Sequence, residues 1–124
     1  MKINKVMEEK LMRKVLVVVD MQNDFIDGTL GTRETQEMLP RMVAKLTAAR
    51  AEGVALIFTM DTHGTDYLAT QEGKKLPVEH CIRGTVGWQI ADALQPFVRE
   101  AAAILEKPTF GATTLPAALA DYDE

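Results

Sequence analysis

Five consecutive apolar residues, Val15-Leu16-Val17-Val18-Val19, four of them β-branched, run straight into an acid at Asp20. A run without polar alternation suits a strand covered on both faces, as in a parallel sheet flanked by helices. In open α/β sheets ligands bind beyond the carboxyl ends of the strands, where loops and helix N-termini converge. Asp20 sits at that end, so it either serves a site there or caps the turn that follows, a common job for aspartate.

The pattern repeats along the chain. Glu34 to Ala51 predicts a helix, with Met38, Met42, Leu46 and Ala49 at spacings of three and four and Gly53 where a helix terminus favours glycine. Val54 to Met60 predicts a second buried strand, which also ends in an acid, Asp61. Strand–helix–strand crossovers are right-handed and their strands parallel in nearly all cases, so Asp20 and Asp61 are expected on one rim. Gly87 to Val98 predicts another helix, with Trp88, Ile90, Ala91, Leu94 and Val98 inward. Ala101 to Leu105 predicts a third strand ahead of Glu106 and Lys107, and Pro108 blocks its continuation.

Between these elements, Met21 to Arg33 is rich in Gly, Asp, Asn and Thr and reads as a loop over a binding surface. Thr62 to Val86 is a long polar excursion interrupted by Pro77, of the kind that is usually functional or mobile. Residues 1–13 read as a short surface helix or an arm, and Leu115 to Leu119 as a last short helix.

At 124 residues the chain is one domain. Its 14 basic and 18 acidic residues are mixed rather than blocked into a basic stripe, which argues against nucleic-acid binding. A lone cysteine, Cys81, excludes an internal disulfide and fits a reducing cytoplasm. No apolar run approaches the roughly 20 residues a membrane span needs. Residues 1–14 carry scattered charge and no apolar core, unlike a secretory signal.

Three strands thus end in Asp20, Asp61 and Lys107. A carboxylate base and a cation at one rim are the parts of an acyl-transfer site, the lysine answering developing negative charge. Asp61 and His63 are two apart in extended chain and so project to one side, where His80 can return from the far end of the excursion. A carboxylate with two imidazoles suits Zn, Fe or Mn. The plain alternative for both histidines is a solvated loop position.

The segments VLVVVDMQNDF, DTH, LPVEHCIRGTVGW and EKPTFGAT, in this order, resemble the nicotinamidase/isochorismatase family of cysteine hydrolases across nearly all of Val15 to Thr113. The resemblance implies roles. Asp20 matches the aspartate that takes the proton of a nucleophilic thiol, Lys107 the lysine that completes the charge arrangement, and Phe25 the aromatic wall against a substrate ring. Asp61, His63 and His80 match the metal ligands of nicotinamidases. The implied reaction is hydrolysis of a small-molecule amide C–N bond through a thioester, with release of ammonia. Glu79 stands where many nicotinamidases have proline, and the excursion holds no additional histidine.

In the family the nucleophilic cysteine follows one more strand beyond Lys107. The sequence stops at Glu124, about where that strand would begin, and Cys81 matches instead the cysteine beside the metal histidine. Neighbouring residues in extended chain point apart, so Cys81 and His80 make a poor nucleophile–base pair, and Cys81 reads as a small buried hydrophobe. The expectation is therefore a single, incomplete domain over residues 1–124. It is the N-terminal part of a three-layer αβα fold with a parallel sheet, isochorismatase-like and Rossmann-like, with three strands present and little activity alone. The family's first strand lies mid-sheet, so Val15 to Val19 would form an open apolar edge inviting a second chain, including its own copy.

Two readings from other classes stand beside this one. A receiver-like signalling domain would be phosphorylated at Asp61 and use Lys107-Pro108, although the first strand lacks that module's adjacent acid pair. A non-catalytic relative would keep the metal loop as a binding surface.

Overall fold

The computed structural model describes residues 14–107. The expected N-terminal arm and the Leu115 to Leu119 helix lie outside them. In chain order the elements are β1 (Val15–Val19), α1 (Asn23–Ile26), α2 (Arg33–Ala51), β2 (Ala55–Asp61), α3 (Gln71–Lys75), α4 (Gln95–Val98) and β3 (Ala103–Lys107). Single 3-10 turns occupy Tyr67–Ala69 and Asp92–Leu94. The strands form one parallel sheet in the order β1-β2-β3, with Val19 in register with Thr59 and Asp61 with Lys107. Among the described residues no helix is long and apolar enough to cross a membrane.

Side chains alternate across each strand, so the registered rows sort into two faces. Leu16, Val18, Leu56, Phe58 and Met60 share one row and join Leu46 of α2 and Phe97 of α4 in the core. The opposite row carries Val17, Val19, Ile57, Thr59, Asp61 and Lys107. One strand period therefore separates the residues that hold the fold from those that end at the rim.

The helix α2 forms as its periodicity predicts. Thr32 accepts from the Thr35 amide and the Thr35 side chain answers at the Thr32 amide, so the first turn is capped from both sides. Leu46 is fully buried, and Met38, Leu39, Met42, Val43 and Ala49 pack beside it. Pro40 removes one backbone bond inside the helix. The apolar stripe on both sides of it keeps the helix continuous. Just past the C-cap, Gly53 has φ +75°, which glycine adopts without a side-chain clash.

Several expectations need correction. β1 is the sheet edge among the described residues, as the open-edge expectation has it, but among those residues the strand is not covered on both faces: Val18 alone is buried, and Val19 is 57% exposed. Gly87 to Val98 is not one helix, because its first residues bond to the β1–α1 turn instead of to themselves. Ile90 bridges Gln22, the Asn23 amide takes the Gln89 carbonyl, and the Asp24 amide takes that of Gly87. Helical geometry starts only at Asp92, yet Trp88, Ile90, Ala91, Leu94 and Val98 all pack at the core as expected. The Met21 to Arg33 loop contains α1, held by those same bonds. The polar excursion is packed, not loose: Tyr67 and Cys81 are buried, α3 lies within it, and His63 bridges Ile82. β2 and β3 each run later than predicted, so that Asp61 and Lys107 are their last residues.

Candidate functional site

Asp20 follows β1 directly and has φ +53°, a left-handed turn that aspartate tolerates better than most residues. The turn brings its carboxylate back to the sheet. Lys107 Nζ lies 2.7 Å from Oδ2, and Thr59 Oγ1 donates to Oδ1 at 2.9 Å. The lysine and aspartate side chains are 10% and 19% exposed, so the ion pair is largely shielded from water. The capping alternative fails: α1 has no side-chain cap, and its N-cap residue is Gln22.

Asp61 ends β2, and His63 lies two residues beyond it. The three side chains converge. His63 Nε2 is 3.0 Å from Asp61 Oδ2 and His80 Nε2 is 3.4 Å from the same oxygen. One donor atom from each of the three residues lies within 4.8 Å of the others. Both histidines are buried, which rules out the solvated-loop reading. The Tyr67 ring centroid lies 4.6 Å from that of His63 and 5.0 Å from that of His80, and the Phe25 and His80 ring centroids are 5.5 Å apart in an edge-on arrangement.

The His80 ring tautomer follows from its partner. Nδ1 is 2.8 Å from the Val78 carbonyl, which can only accept, so Nδ1 carries a proton. Nε2 is then the ring atom that faces the Asp61 carboxylate, and one carboxylate with two imidazoles is a donor set that suits Zn, Fe or Mn. A backbone carbonyl on the far ring nitrogen is also the usual way a ligating histidine is oriented. The residues fit a divalent metal ion.

The ion pair and the donor cluster open onto one cavity of about 420 Å³, lined by Asp20, Phe25, Asp61, Tyr67, His80 and Lys107. Cys81 is not on its wall. The thiol is fully buried and its pKa is raised far above the ordinary thiol range, by burial first and then by the carboxylates of Asp61, Asp24 and Asp20, with Lys107 opposing. A thiol held protonated is a poor nucleophile.

Sequence reasoning missed four supports. Thr59 orients Asp20. Gln22, fully buried, clamps the end of β2: its Nε2 donates to the Asp61 and Trp88 carbonyls at 2.8 and 2.7 Å, and its Oε1 accepts from the Asp61 amide at 2.9 Å. Asp24 accepts from the Cys81 amide at 2.8 Å, and Tyr67 wedges both imidazoles. Thr59 did carry a signal, as a hydroxyl in an otherwise apolar strand. Gln22 and Asp24 stand in the run after β1, but their partners lie far along the chain.

The isochorismatase domain family model matches residues 14–121. No curated protein sequence matches the chain. Among solved structures, N-carbamoylsarcosine amidase from Thermoplasma acidophilum is 29% identical with a TM-score of 0.72, over 87% of this chain and 61% of that one. The pyrazinamidase/nicotinamidase from Streptococcus mutans is 27% identical with a TM-score of 0.71, over 86% of this chain and 64% of its own. Pyrazinamidase of Pyrococcus horikoshii, solved in complex with zinc, shares the fold at 24% identity and a TM-score of 0.67, over 86% and 63%. This chain thus spans less than two thirds of the length of each.

Proposed function

The chain belongs to the isochorismatase domain family, and on that premise we propose that it builds the acid–cation pair and the metal site of a nicotinamidase-type amidase centre. Such a centre hydrolyses the C–N bond of a small-molecule amide and releases ammonia. The observation that carries the reading is the shared cavity: the Asp20–Lys107 pair and the Asp61 and His80 donors line one space, with His63 Nε2 3.0 Å from Asp61 Oδ2.

Each residue then has a task. Asp20 accepts the proton of the attacking thiol, and Lys107 answers negative charge as the carbonyl is attacked. Thr59 holds the carboxylate in register by its bond to Oδ1. Phe25 and Tyr67 present apolar ring surface to a flat substrate. Asp61, His63 and His80 would hold a divalent ion, which supplies a Lewis acid for a polar atom of the substrate. Cys81 is the one cysteine of the sequence, and its burial and raised pKa leave Asp20 without a reactive thiol among the described residues. Little or no amidase activity is expected from this chain alone.

That same observation favours a second reading, a relative that keeps the metal site for binding without turnover. A third element of the proposal is association through the open edge of β1.

One experiment tests the metal site and the assignment of Cys81 together. The chain is titrated with Zn(II) and Mn(II) and assayed for ammonia release from nicotinamide and an N-carbamoyl amino acid. One equivalent of metal, lost in Asp61→Ala and His80→Ala, with no ammonia, supports the site and the missing thiol. Ammonia release abolished by Cys81→Ala would make Cys81 the nucleophile and overturn that assignment. Absence of metal binding would remove the metal site.

A further inference from the structure

Asp24 belongs neither to the ion pair nor to the donor cluster, yet three segments meet at it. Its Oδ2 accepts from the Cys81 amide at 2.8 Å. Its own amide donates to the Gly87 carbonyl at 2.9 Å, and its carbonyl accepts from the Leu30 amide at 2.8 Å. The carboxylate occupies space that two glycines leave open. A Cβ at Gly87 would stand 2.2–2.3 Å from the carboxylate atoms, and one at Gly28 would stand 2.6 Å from Oδ1.

The residue it holds is strained. Cys81 has φ +50°, a left-handed conformation that a residue with a side chain keeps only where its surroundings enforce it. The Cys81 carbonyl in turn accepts from the His63 amide at 2.9 Å. One residue, Cys81, therefore sits between Asp24 on one side and both histidines on the other: His80 precedes it in the chain, and the His63 amide is bonded to its carbonyl.

We propose that Asp24 is a positioning residue for the Asp61, His63 and His80 cluster: by holding the Cys81 amide it fixes the left-handed turn that aims His80 Nε2 at Asp61. Without that acceptor, Cys81 relaxes towards negative φ, the peptide between His80 and Cys81 rotates, and His80 leaves its bond to Val78. The functional weight of this inference rests on the metal reading above, but the pose of His80 can be read without metal.

The test compares Asp24→Ala, Asp24→Asn and Gly87→Ala with the parent chain. Asparagine keeps an oxygen for the Cys81 amide, whereas alanine removes it, and Gly87→Ala displaces the carboxylate with Asp24 still in place. Zn(II) affinity is expected to fall about 10- to 100-fold in Asp24→Ala, the usual consequence of losing an outer support of a metal ligand. Gly87→Ala is expected to lose affinity in the same direction, and Asp24→Asn to stay close to the parent. In the metal-free protein, imidazole nitrogen shifts are expected to show a single Nδ1–H tautomer for His80 in the parent and in Asp24→Asn, and a mixture in Asp24→Ala. Parent-like affinity and a single tautomer in Asp24→Ala would overturn the proposal, as would equal losses in Asn and Ala. If Asp24→Ala fails to fold, Gly87→Ala and Asp24→Asn decide it. A parent chain that binds no zinc would defeat the metal reading instead, and the tautomer measurement would still judge Asp24.

Discussion

Lys107 and Asp20 place opposite charges 2.7 Å apart with little water around either, so removing one partner strands the other. Lys107→Met is expected to lower stability by about 2–4 kcal/mol, read from the urea midpoint, because it leaves a shielded carboxylate unanswered. Thr59→Val removes a single bond to the same carboxylate and is expected to lower stability by about 1 kcal/mol. Equal effects would mean that the cation matters no more than the hydroxyl. Cys81 gives a pH dependence whose sign follows from its raised pKa. The unfolded thiol ionises in its ordinary range while the folded one stays protonated, so the native state binds more protons and stability falls as pH climbs past that range. Tyr67, raised by burial and then by Glu72 and Asp61, adds the same sign at higher pH. Urea midpoints between neutral and alkaline pH are expected to fall more steeply in the parent than in Cys81→Ala, and parallel slopes would show that Cys81 is not the cause. At this scale the sequence was readable where chemistry is local: Asp20, Asp61 and Lys107 close strands, and His63 is two residues from its partner. Thr59, Gln22 and Asp24 act across 39, 39 and 57 residues of separation, which no spacing reveals.

Elements were legible to the extent that each is stabilised by its own periodicity. α2 carries an apolar stripe, a two-sided cap and a terminal glycine, so its sequence and structure agree almost to the residue. Two variants rank these contributions. Leu46→Ala opens a cavity under a fully buried side chain and is expected to cost about 2–5 kcal/mol, while Thr32→Ala removes an exposed cap and is expected to cost about 1 kcal/mol. Thermal or urea unfolding checks the order, and a larger loss at Thr32 would mean that the cap, not the buried face, holds α2 on the sheet. Gly87 to Val98 has a similar apolar spacing but no comparable start signal, and Pro96 sits in the first turn of α4. Its early backbone groups find better partners on the β1–α1 turn, so tertiary bonding overrides the local pattern. The polar excursion hid α3 for a related reason: its five residues are four polar side chains and a glycine, and the buried Tyr67 and Gly73 anchor the segment.

At the scale of the molecule, the sheet decides what remains to be covered. β1 is an edge among the described residues, five apolar residues long, with Val19 more than half exposed and no charge within the strand. Natural edges usually carry lysine, proline or a bulge that discourages pairing, and this one has none inside its span. The row that includes Val17 and Val19 continues through Thr59 into Asp61 and Lys107, and Asp20 leaves from the end of the same strand. Any strand that pairs with β1 therefore runs beside the cavity, which joins association to the site by geometry. Val19→Lys places a charge on the exposed end of that edge without touching the core row around Val18. In sedimentation velocity the parent chain is expected to form concentration-dependent dimers or larger species, and Val19→Lys is expected to shift the distribution to monomer with the zinc titration unchanged. A parent that stays monomeric across the concentration range would show that β1 is not an association edge. If Val19→Lys also abolished zinc binding, the edge and the Asp61 cluster would have to be a single unit rather than neighbours on one sheet.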